Sequence, residues 1–321
     1  MAVSKFPAGA RICCFGDSIT RNGDWIETLL CFYAEQKSYP GIQLYNCGIS
    51  GGGTHTILDH LSEDLEFYHP THAIIMAGMN DIHRELYLPE STMDPKRKER
   101  LRAQALENYR ENLKDILHRL GQAGIPIIVL SPTPYDEAQC SSQPCMTGCD
   151  AALQICTDIC RELSQQFGCE YLDMHKLFCD IMATDGQGII EDDRIHPSPA
   201  GQQLFAEFLL NAQGFSHVSE ARLPGRTSPL QQKRRETERI LRDLEDTQLL
   251  VFDSMEPLSV EEKQKIARRY LNGYRPYFGY YEDYYTQILT NYVQYIFNKN
   301  ELLSQYIHLT EQFVTLEGGQ S

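Results

Sequence analysis

A serine in the N-terminal part of the chain has the surroundings of a nucleophile. Ser18 follows the short apolar run 12–15 and the pair Gly16-Asp17. The run has the length of a buried strand, and glycine can adopt the backbone angles of a sharp turn at its end. Apolar residues then recur at helical spacing from Trp25 onward, so Ser18 would lie near a helix N-terminus, whose dipole favours negative charge. Taken alone, the motif also fits a serine that only caps this helix.

A histidine and an aspartate far along the chain could activate this serine. A serine hydroxyl is a weak nucleophile until a base takes its proton, and the base needs a partner that holds its tautomer. His196, with Asp193 three residues before it, can form that pair on a tight turn. The resulting oxyanion needs donors, for which the candidates are the backbone N–H groups of Ser18 and Gly51 and the side-chain amide of Asn80. Gly51 and Asn80 fit simple turn and loop roles equally well.

The elements that must position these residues alternate between short apolar runs and longer amphipathic stretches. Strands are predicted at 12–15, 42–46, 73–77, 125–130 and 170–172, and helices at 23–36, 57–67, 97–123, 149–167 and 199–212. Five strands with helical crossovers predict a parallel sheet covered on both faces, a three-layer α/β/α fold. Sites in such folds form beyond the carboxyl ends of the strands, where the loops 16–20, 48–54 and 78–83 lie. The loop-like region 184–198 carries Asp193 and His196.

Composition narrows the class of protein. The chain of 321 residues has a formal net charge of −15, which argues against nucleic acid and against an anionic membrane surface as partners. No apolar stretch is long enough to span a bilayer, and the N-terminus lacks the apolar core of a secretion signal, so we predict a cytoplasmic protein.

The cysteines are predicted to be reduced thiols that pack as small apolar side chains. The chain has 11 of them, and the adjacent pair Cys13-Cys14 lies in a predicted buried strand. Five fall in one window, at 140, 145, 149, 156 and 160, of which the last three share one face of a predicted helix. Their spacing fits no common zinc pattern. We therefore predict neither a metal nor a cofactor.

The C-terminal third has a different character. A segment of linker composition, 223–229, precedes predicted helices at 229–247, 259–272 and 283–314. Ten of the 18 tyrosines occur after residue 269, and tyrosine suits interfaces because it joins a large apolar area to a polar tip. We predict a catalytic domain at 1–215 and a helical extension at 216–321. Packing on the catalytic domain, a homo-oligomer interface and a substrate cover all stay open for the extension.

Four motifs in order resemble the blocks of the GDSL or SGNH hydrolase family. They are Gly16-Asp17-Ser18-Ile19-Thr20, Asn46-Cys47-Gly48-Ile49-Ser50-Gly51, Gly78-Met79-Asn80-Asp81 and Asp193-Arg194-Ile195-His196-Pro197. The resemblance covers about residues 10–212 and implies a flavodoxin-like SGNH fold. It also implies that Ser18 is the nucleophile, that His196 is the base oriented by Asp193, and that Ser18, Gly51 and Asn80 form the oxyanion hole. Substrate contacts are assigned to Asp17, Gly52, Asp81 and Ile195.

The second block departs from the family pattern. Family members often continue with Asp-Thr after the glycine, whereas Gly52-Gly53-Thr54 follows Gly51 here. This difference bears on the substrate rather than on the chemistry.

The resemblance implies a metal-independent serine ester hydrolase that works through an acyl-enzyme. We favour short acyl groups, chiefly acetyl, on a carbohydrate or other small ester. A thioesterase or a lysophospholipase is the alternative of the same class. A binding or assembly protein with a vestigial hydrolase core is the alternative of another class.

Overall fold

Five short strands form one parallel sheet in this computed structural model, which describes residues 2–184, 188–216, 218, 229–254 and 282–317. The strands are β1 (Arg11–Gly16), β2 (Gln43–Gly48), β3 (His72–Met76), β4 (Ile127–Leu130) and β5 (Glu170–Leu172). Their spatial order is β2-β1-β3-β4-β5. This is the flavodoxin-like strand order. It brings the carboxyl ends of β1, β2 and β3 together at one edge of the sheet.

Helices flank the sheet as predicted. They are α1 (Ser18–Asn22), α2 (Asp24–Ala34), α3 (Thr54–Tyr68), α4 (Pro95–Gln122), α5 (Cys149–Phe167), α6 (Met174–Thr184) and α7 (Pro199–Ala212), with a short 3-10 helix at Arg84–Tyr87. Helix α2 packs on α7, where the rings of Trp25 and Phe205 stack with centroids 5.3 Å apart. Helices α3, α4 and α5 pack as neighbouring pairs. The prediction of a three-layer α/β/α fold is confirmed.

The strands are apolar along their whole length because both faces of the sheet are covered. Every residue of β4 is buried, and only the first residue of β1 is not. Such strands form continuous apolar runs rather than alternating patterns, which is why the sequence reveals them. Helix ends follow local chemistry too: Asp94 caps α4 through the backbone N–H of Arg97, and Pro95 occupies its first turn.

Two features differ from the sequence analysis. Helix α6 was not predicted, and the short helix α1 precedes the helix that was expected to begin at residue 23. Glycine at position 23, with φ +74°, ends α1 and allows α2 to start in a new direction.

The cysteines are reduced thiols, and most of them are buried, as predicted. All 11 cysteines are free thiols. Cys149, Cys156 and Cys160 are buried on one face of α5, while Cys140 is exposed in the preceding loop.

The chain divides into two compact units, Met1–Gly225 with Val314–Ser321, and Arg226–Phe313. The second contains α8 (Pro229–Ser254) and most of α9 (Glu282–Glu317), so C-terminal helices are present. Within it the guanidinium of Arg234 lies 5.8 Å from the ring centroid of Tyr306. Two of the C-terminal predictions lie outside the described residues, namely the helix at 259–272 and most of the tyrosine-rich segment. The domain boundary at 215 and the oligomer interface stay predictions.

Among the residues that the structure describes, no helix has the length and apolar character needed to cross a membrane.

Candidate active site

Ser18 lies directly beyond the carboxyl end of the central strand β1. The strand ends at Gly16, where an added Cβ would lie only 2.5 Å from the carbonyl oxygen of Met76. Any side chain would collide with the backbone of β3 at this point. Glycine is therefore required where the chain leaves the sheet. Asp17 then caps α1 by accepting the backbone N–H of Ile19 at 2.9 Å. Ser18 is thus the first residue of α1, half-buried at the edge where such folds place their sites.

The structure brings Ser18, His196 and Asp193 together. Ser18 Oγ lies 2.7 Å from His196 Nε2, although 178 positions separate the two residues in sequence. On the other side of the ring, His196 Nδ1 lies 2.5 Å from Asp193 Oδ2. The serine hydroxyl, the imidazole and the carboxylate therefore form one continuous line. A base and its orienting acid in this arrangement can take a proton from the hydroxyl.

The carboxylate of Asp193 is held in place by its own loop. Its second oxygen, Oδ1, accepts the backbone N–H groups of Ile195 and His196, each at 2.9 Å. Partial burial raises the pKa of the Asp193 carboxyl, but the hydrogen bonds from the His196 ring and the two N–H groups outweigh this effect and lower it. Asp193 is therefore ionised at neutral pH and can balance a positive charge on the imidazole.

Arg194 holds the loop that carries both residues. Its backbone lies in the left-handed region, with φ +69°, which is unfavourable for a residue with a side chain. Its buried guanidinium donates from Nη1 to the carbonyl oxygens of Asp136 at 2.9 Å and Glu137 at 3.3 Å. In return the backbone N–H of Asp136 donates to the carbonyl of Arg194 at 3.0 Å. These contacts compensate for the backbone strain and join the loop to the segment after β4.

The predicted oxyanion donors lie on two adjoining loops. Gly51, with φ +74°, is the third residue of a tight turn closed by a hydrogen bond from the N–H of Gly52 to the carbonyl of Ile49 at 3.0 Å. Only glycine adopts this conformation without strain. The side-chain amide of Asn80 donates from Nδ2 to the carbonyl of Gly52 at 2.7 Å. An amide nitrogen carries two N–H groups, so this bond uses one of the two that Asn80 offers.

Arg84 orients the Asn80 side chain and was not assigned a role from sequence. Its Nη1 donates to Asn80 Oδ1 at 2.9 Å and to the carbonyl of Met79 at 3.0 Å. These bonds identify which end of the Asn80 amide is the oxygen. The spacing of four residues between Asn80 and Arg84 is the only sequence signal for this contact, and it is common in any chain.

The residues assigned to substrate contacts lie at different depths. Asp17 and Asp81 are buried, and Asp81 Oδ1 accepts the backbone N–H and the hydroxyl of Thr54 at 2.8 and 2.5 Å. An added Cβ at Gly53 would lie 2.9 Å from this same carboxylate oxygen, which explains the glycine there. Gly52 is buried and Ile195 is half-buried. The role of these residues in substrate binding stays a prediction.

Two carboxyls close to Ser18 in sequence or in the third motif, those of Asp17 and Asp81, are buried, and burial disfavours their ionised forms. Burial is the largest cause that raises the pKa of Asp17, to about 6 from 3.8, and the nearby carboxylate of Asp81 raises it further. Burial also raises the pKa of Asp81.

We expect the Asp17→Asn variant to gain stability over the wild type as pH rises from about 4 to 7. Folded Asp17 binds its proton more tightly than unfolded Asp17, so its contribution to stability is full below pH 3.8 and is lost as pH passes about 6. Asparagine does not titrate and caps a helix equally well. The difference in free energy of unfolding should change by about 2–3 kcal/mol across this range. Urea unfolding followed by the fluorescence of the single Trp25 measures it, and a difference that is constant with pH would contradict the expectation.

Comparison with known proteins identifies the family of the chain. The GDSL-like lipase/acylhydrolase family matches residues 14–204. An acetylxylan esterase from Geobacillus stearothermophilus is 28% identical over 185 residues, covering 57% of this chain and 78% of that enzyme.

Solved structures share the fold. Axe2, an acetylxylan esterase from Geobacillus stearothermophilus, is 21% identical with a TM-score of 0.54, over 66% of this chain and 97% of its own. BT4096, a gut microbial diltiazem-metabolizing enzyme, is 24% identical with a TM-score of 0.59 over 67% of this chain, and the match spans about half, 49%, of that enzyme. Since the family match extends over more than half of its residues, the chain belongs to the GDSL-like lipase/acylhydrolase family and is a carboxylic ester hydrolase.

Proposed function

We propose that the protein hydrolyses esters through an acyl-enzyme on Ser18. The observation that carries this proposal is the contact of 2.7 Å between Ser18 Oγ and His196 Nε2, with the other ring nitrogen bound to Asp193. His196 takes the hydroxyl proton while Oγ bonds to the ester carbonyl carbon. The same proton then goes to the departing alcohol as its C–O bond breaks. Water, deprotonated by His196, releases the acid and restores Ser18.

The negative charge on the carbonyl oxygen would be met by donors that are already in place. We assign this role to the backbone N–H groups of Ser18 and Gly51 and to Nδ2 of Asn80. The fixed orientation of the Asn80 amide, between Arg84 and the carbonyl of Gly52, supports the assignment. Donors that need no reorganisation stabilise the oxyanion most effectively. Gly52 and Ile195, which adjoin Gly51 and His196 in sequence, are proposed to contact the substrate.

The acyl group is proposed to be acetyl and the alcohol a carbohydrate. A cavity of about 280 Å³ borders His196, and polar and charged side chains dominate its lining: Arg21, Asn22, Asp24, Glu191 and Gln202. Such a surface suits a ligand rich in hydroxyl groups better than a fatty acyl chain, which needs apolar walls. The similarity to an acetylxylan esterase supports the same class of substrate.

Activity on esters of increasing acyl length tests the substrate class. We expect kcat/KM for p-nitrophenyl esters to be highest for acetate and to fall at least about tenfold by octanoate, since the polar lining offers nothing to a long chain. Acetylated xylo-oligosaccharides should release acetate, which mass analysis of the deacylated sugar detects. The Ser18→Ala variant is the control for acetate release that does not depend on Ser18. An optimum at eight carbons or longer, or a preference for acyl thioesters, would favour a lysophospholipase or a thioesterase instead.

A further inference from the structure

A second group of reactive side chains lies apart from Ser18, on helices α5 and α6. Cys179 Sγ lies 3.7 Å from His175 Nδ1, four residues earlier on α6. The other ring nitrogen, His175 Nε2, lies 3.0 Å from Asp150 Oδ1 on α5. The order thiol, imidazole, carboxylate repeats the relation of hydroxyl, imidazole and carboxylate at Ser18. This group was not predicted from sequence because helix α6, which carries His175 and Cys179, was not predicted.

The imidazole is held rigidly between its two partners. His175 is 4% exposed, and its backbone N–H donates to Ser131 Oγ at 3.0 Å. Asp150 Oδ1 also accepts the backbone N–H of Tyr135 at 3.2 Å, which fixes the carboxylate. Cys179 itself is only half-buried. Reactive cysteines typically combine a basic or cationic neighbour with partial exposure.

We propose that Cys179 is a thiol modification site, activated by His175 and Asp150, that reacts with soft electrophiles and hydroperoxides. His175 takes the thiol proton and Asp150 balances the charge on the ring. With a hydroperoxide, the thiolate sulfur bonds to one peroxide oxygen and the O–O bond breaks. The leaving oxygen takes the proton from His175, so that the sulfur is oxidised to a sulfenic acid and the peroxide is reduced.

Charge at the site supports an ion pair between the thiolate and the imidazolium. Burial lowers the pKa of His175, but the hydrogen bonds with Asp150 and Cys179 outweigh it and raise the pKa to about 9. A protonated ring beside the sulfur stabilises the thiolate, which is the nucleophilic form. The nearby ammonium of Lys176 adds a positive charge, although it pairs with Asp180 at 2.7 Å.

The arrangement fits a thiol site better than a metal site. The ligand atoms of Asp150, His175 and Cys179 lie within 4.8 Å of one another. However, the two nitrogens of His175 face different partners, and a single ion can take only one of them. Binding of one ion by all three residues would require the ring to give up one of its hydrogen bonds.

The chain contains a matched control for this proposal. Cys145 is also half-buried, but its sulfur donates to the carbonyl of Glu137 at 3.6 Å rather than to an imidazole. Cys169 is half-buried as well, and burial raises the pKa of its thiol to about 11. Exposure alone would make Cys145 as reactive as Cys179.

Alkylation of the full-length protein by iodoacetamide at pH 7 tests the proposal, with each cysteine quantified by peptide mass spectrometry. We expect Cys179 to react at least about tenfold faster than Cys145, since the thiolate is the reacting form and, of the two, Cys179 alone has an imidazole as its hydrogen-bond partner. The His175→Gln variant should bring the rate of Cys179 close to that of Cys145, whose own rate should not change. After hydrogen peroxide, dimedone should label Cys179 first, and Cys179→Ser should remove that adduct.

Equal alkylation rates for Cys179 and Cys145 in the wild-type protein would by themselves overturn the proposal. So would a rate for Cys179 that His175→Gln leaves unchanged. Binding of one Zn²⁺ per chain that both His175→Gln and Cys179→Ser abolish, together with an unreactive Cys179, would identify a metal site instead. Ester hydrolysis by Cys179→Ser, expected at the wild-type rate, shows that the fold is intact.

Discussion

The Ser18→Ala variant is expected to lower kcat for ester hydrolysis on the order of 10⁵-fold, with little change in KM. The substitution removes the atom that bonds to the carbonyl carbon and leaves the donors at Gly51 and Asn80 untouched. Substrate binding should persist for that reason, while the residual rate should reflect the oxyanion donors alone. Steady-state kinetics with p-nitrophenyl acetate measure the change. A fluorophosphonate probe should label the wild type at Ser18 and leave the variant unlabelled.

Ser62→Ala is the matched control for this substitution. Ser62 is exposed on α3, in the same unit of the chain. Its replacement should leave kcat and labelling unchanged. Full activity of Ser18→Ala, or labelling at another residue, would remove Ser18 from the mechanism.

The second large effect is expected at the carboxylate behind His196. The Asp193→Asn variant should lose about 10⁴-fold in kcat, because an amide can no longer stabilise the positive charge on the ring and can favour the wrong tautomer. Its oxygen can still accept the backbone N–H groups of Ile195 and His196, so the loop should keep its shape. The circular dichroism spectrum should therefore match that of the wild type while activity is lost.

The neighbouring Asp192 provides the control. It is exposed, and its backbone carbonyl, which accepts the hydroxyl of Ser141 at 2.5 Å, is retained in Asp192→Asn. This variant should hydrolyse esters at the wild-type rate. A loss in both variants would point to the net charge of the loop, and a loss in neither would mean that His196 needs no orienting carboxylate.

Much of the fold follows from local chemistry that the sequence displays. The runs that become β1, β3 and β4 are apolar throughout because both faces of the sheet are covered. Helix α6 escaped prediction because one of its three buried residues, Met174, His175 and Phe178, is a histidine, which blurs the apolar pattern. That histidine is buried because Asp150 and Ser131 supply its hydrogen bonds, and both come from other parts of the chain.

At the candidate site, too, some features follow from the local sequence and others depend on contacts between distant segments. Gly16, Asp17 and Ser18 alone are compatible with a helix cap, and Asp17 does cap α1. The later motifs indicated an esterase because each follows a strand or lies in the last loop, and parallel strands bring their carboxyl ends together. Residue types and their order along the chain therefore sufficed to predict the fold class, the family and the approach of Ser18, His196 and Asp193 to one another.

The tertiary structure alone decided how those residues are held. The distance from Ser18 to His196 depends on the path of the last loop, and that path depends on Arg194, which adopts a strained backbone and binds carbonyls 57 and 58 positions away. The pairing of Arg84 with Asn80 and the burial of Asp17 likewise arise from packing. The sequence by itself determined that the chain is an ester hydrolase of this family, because that depends on residue types and on their order along the chain. Orientation, burial and the second reactive group at Cys179 depend on contacts between distant segments, and these exist only once the chain has folded.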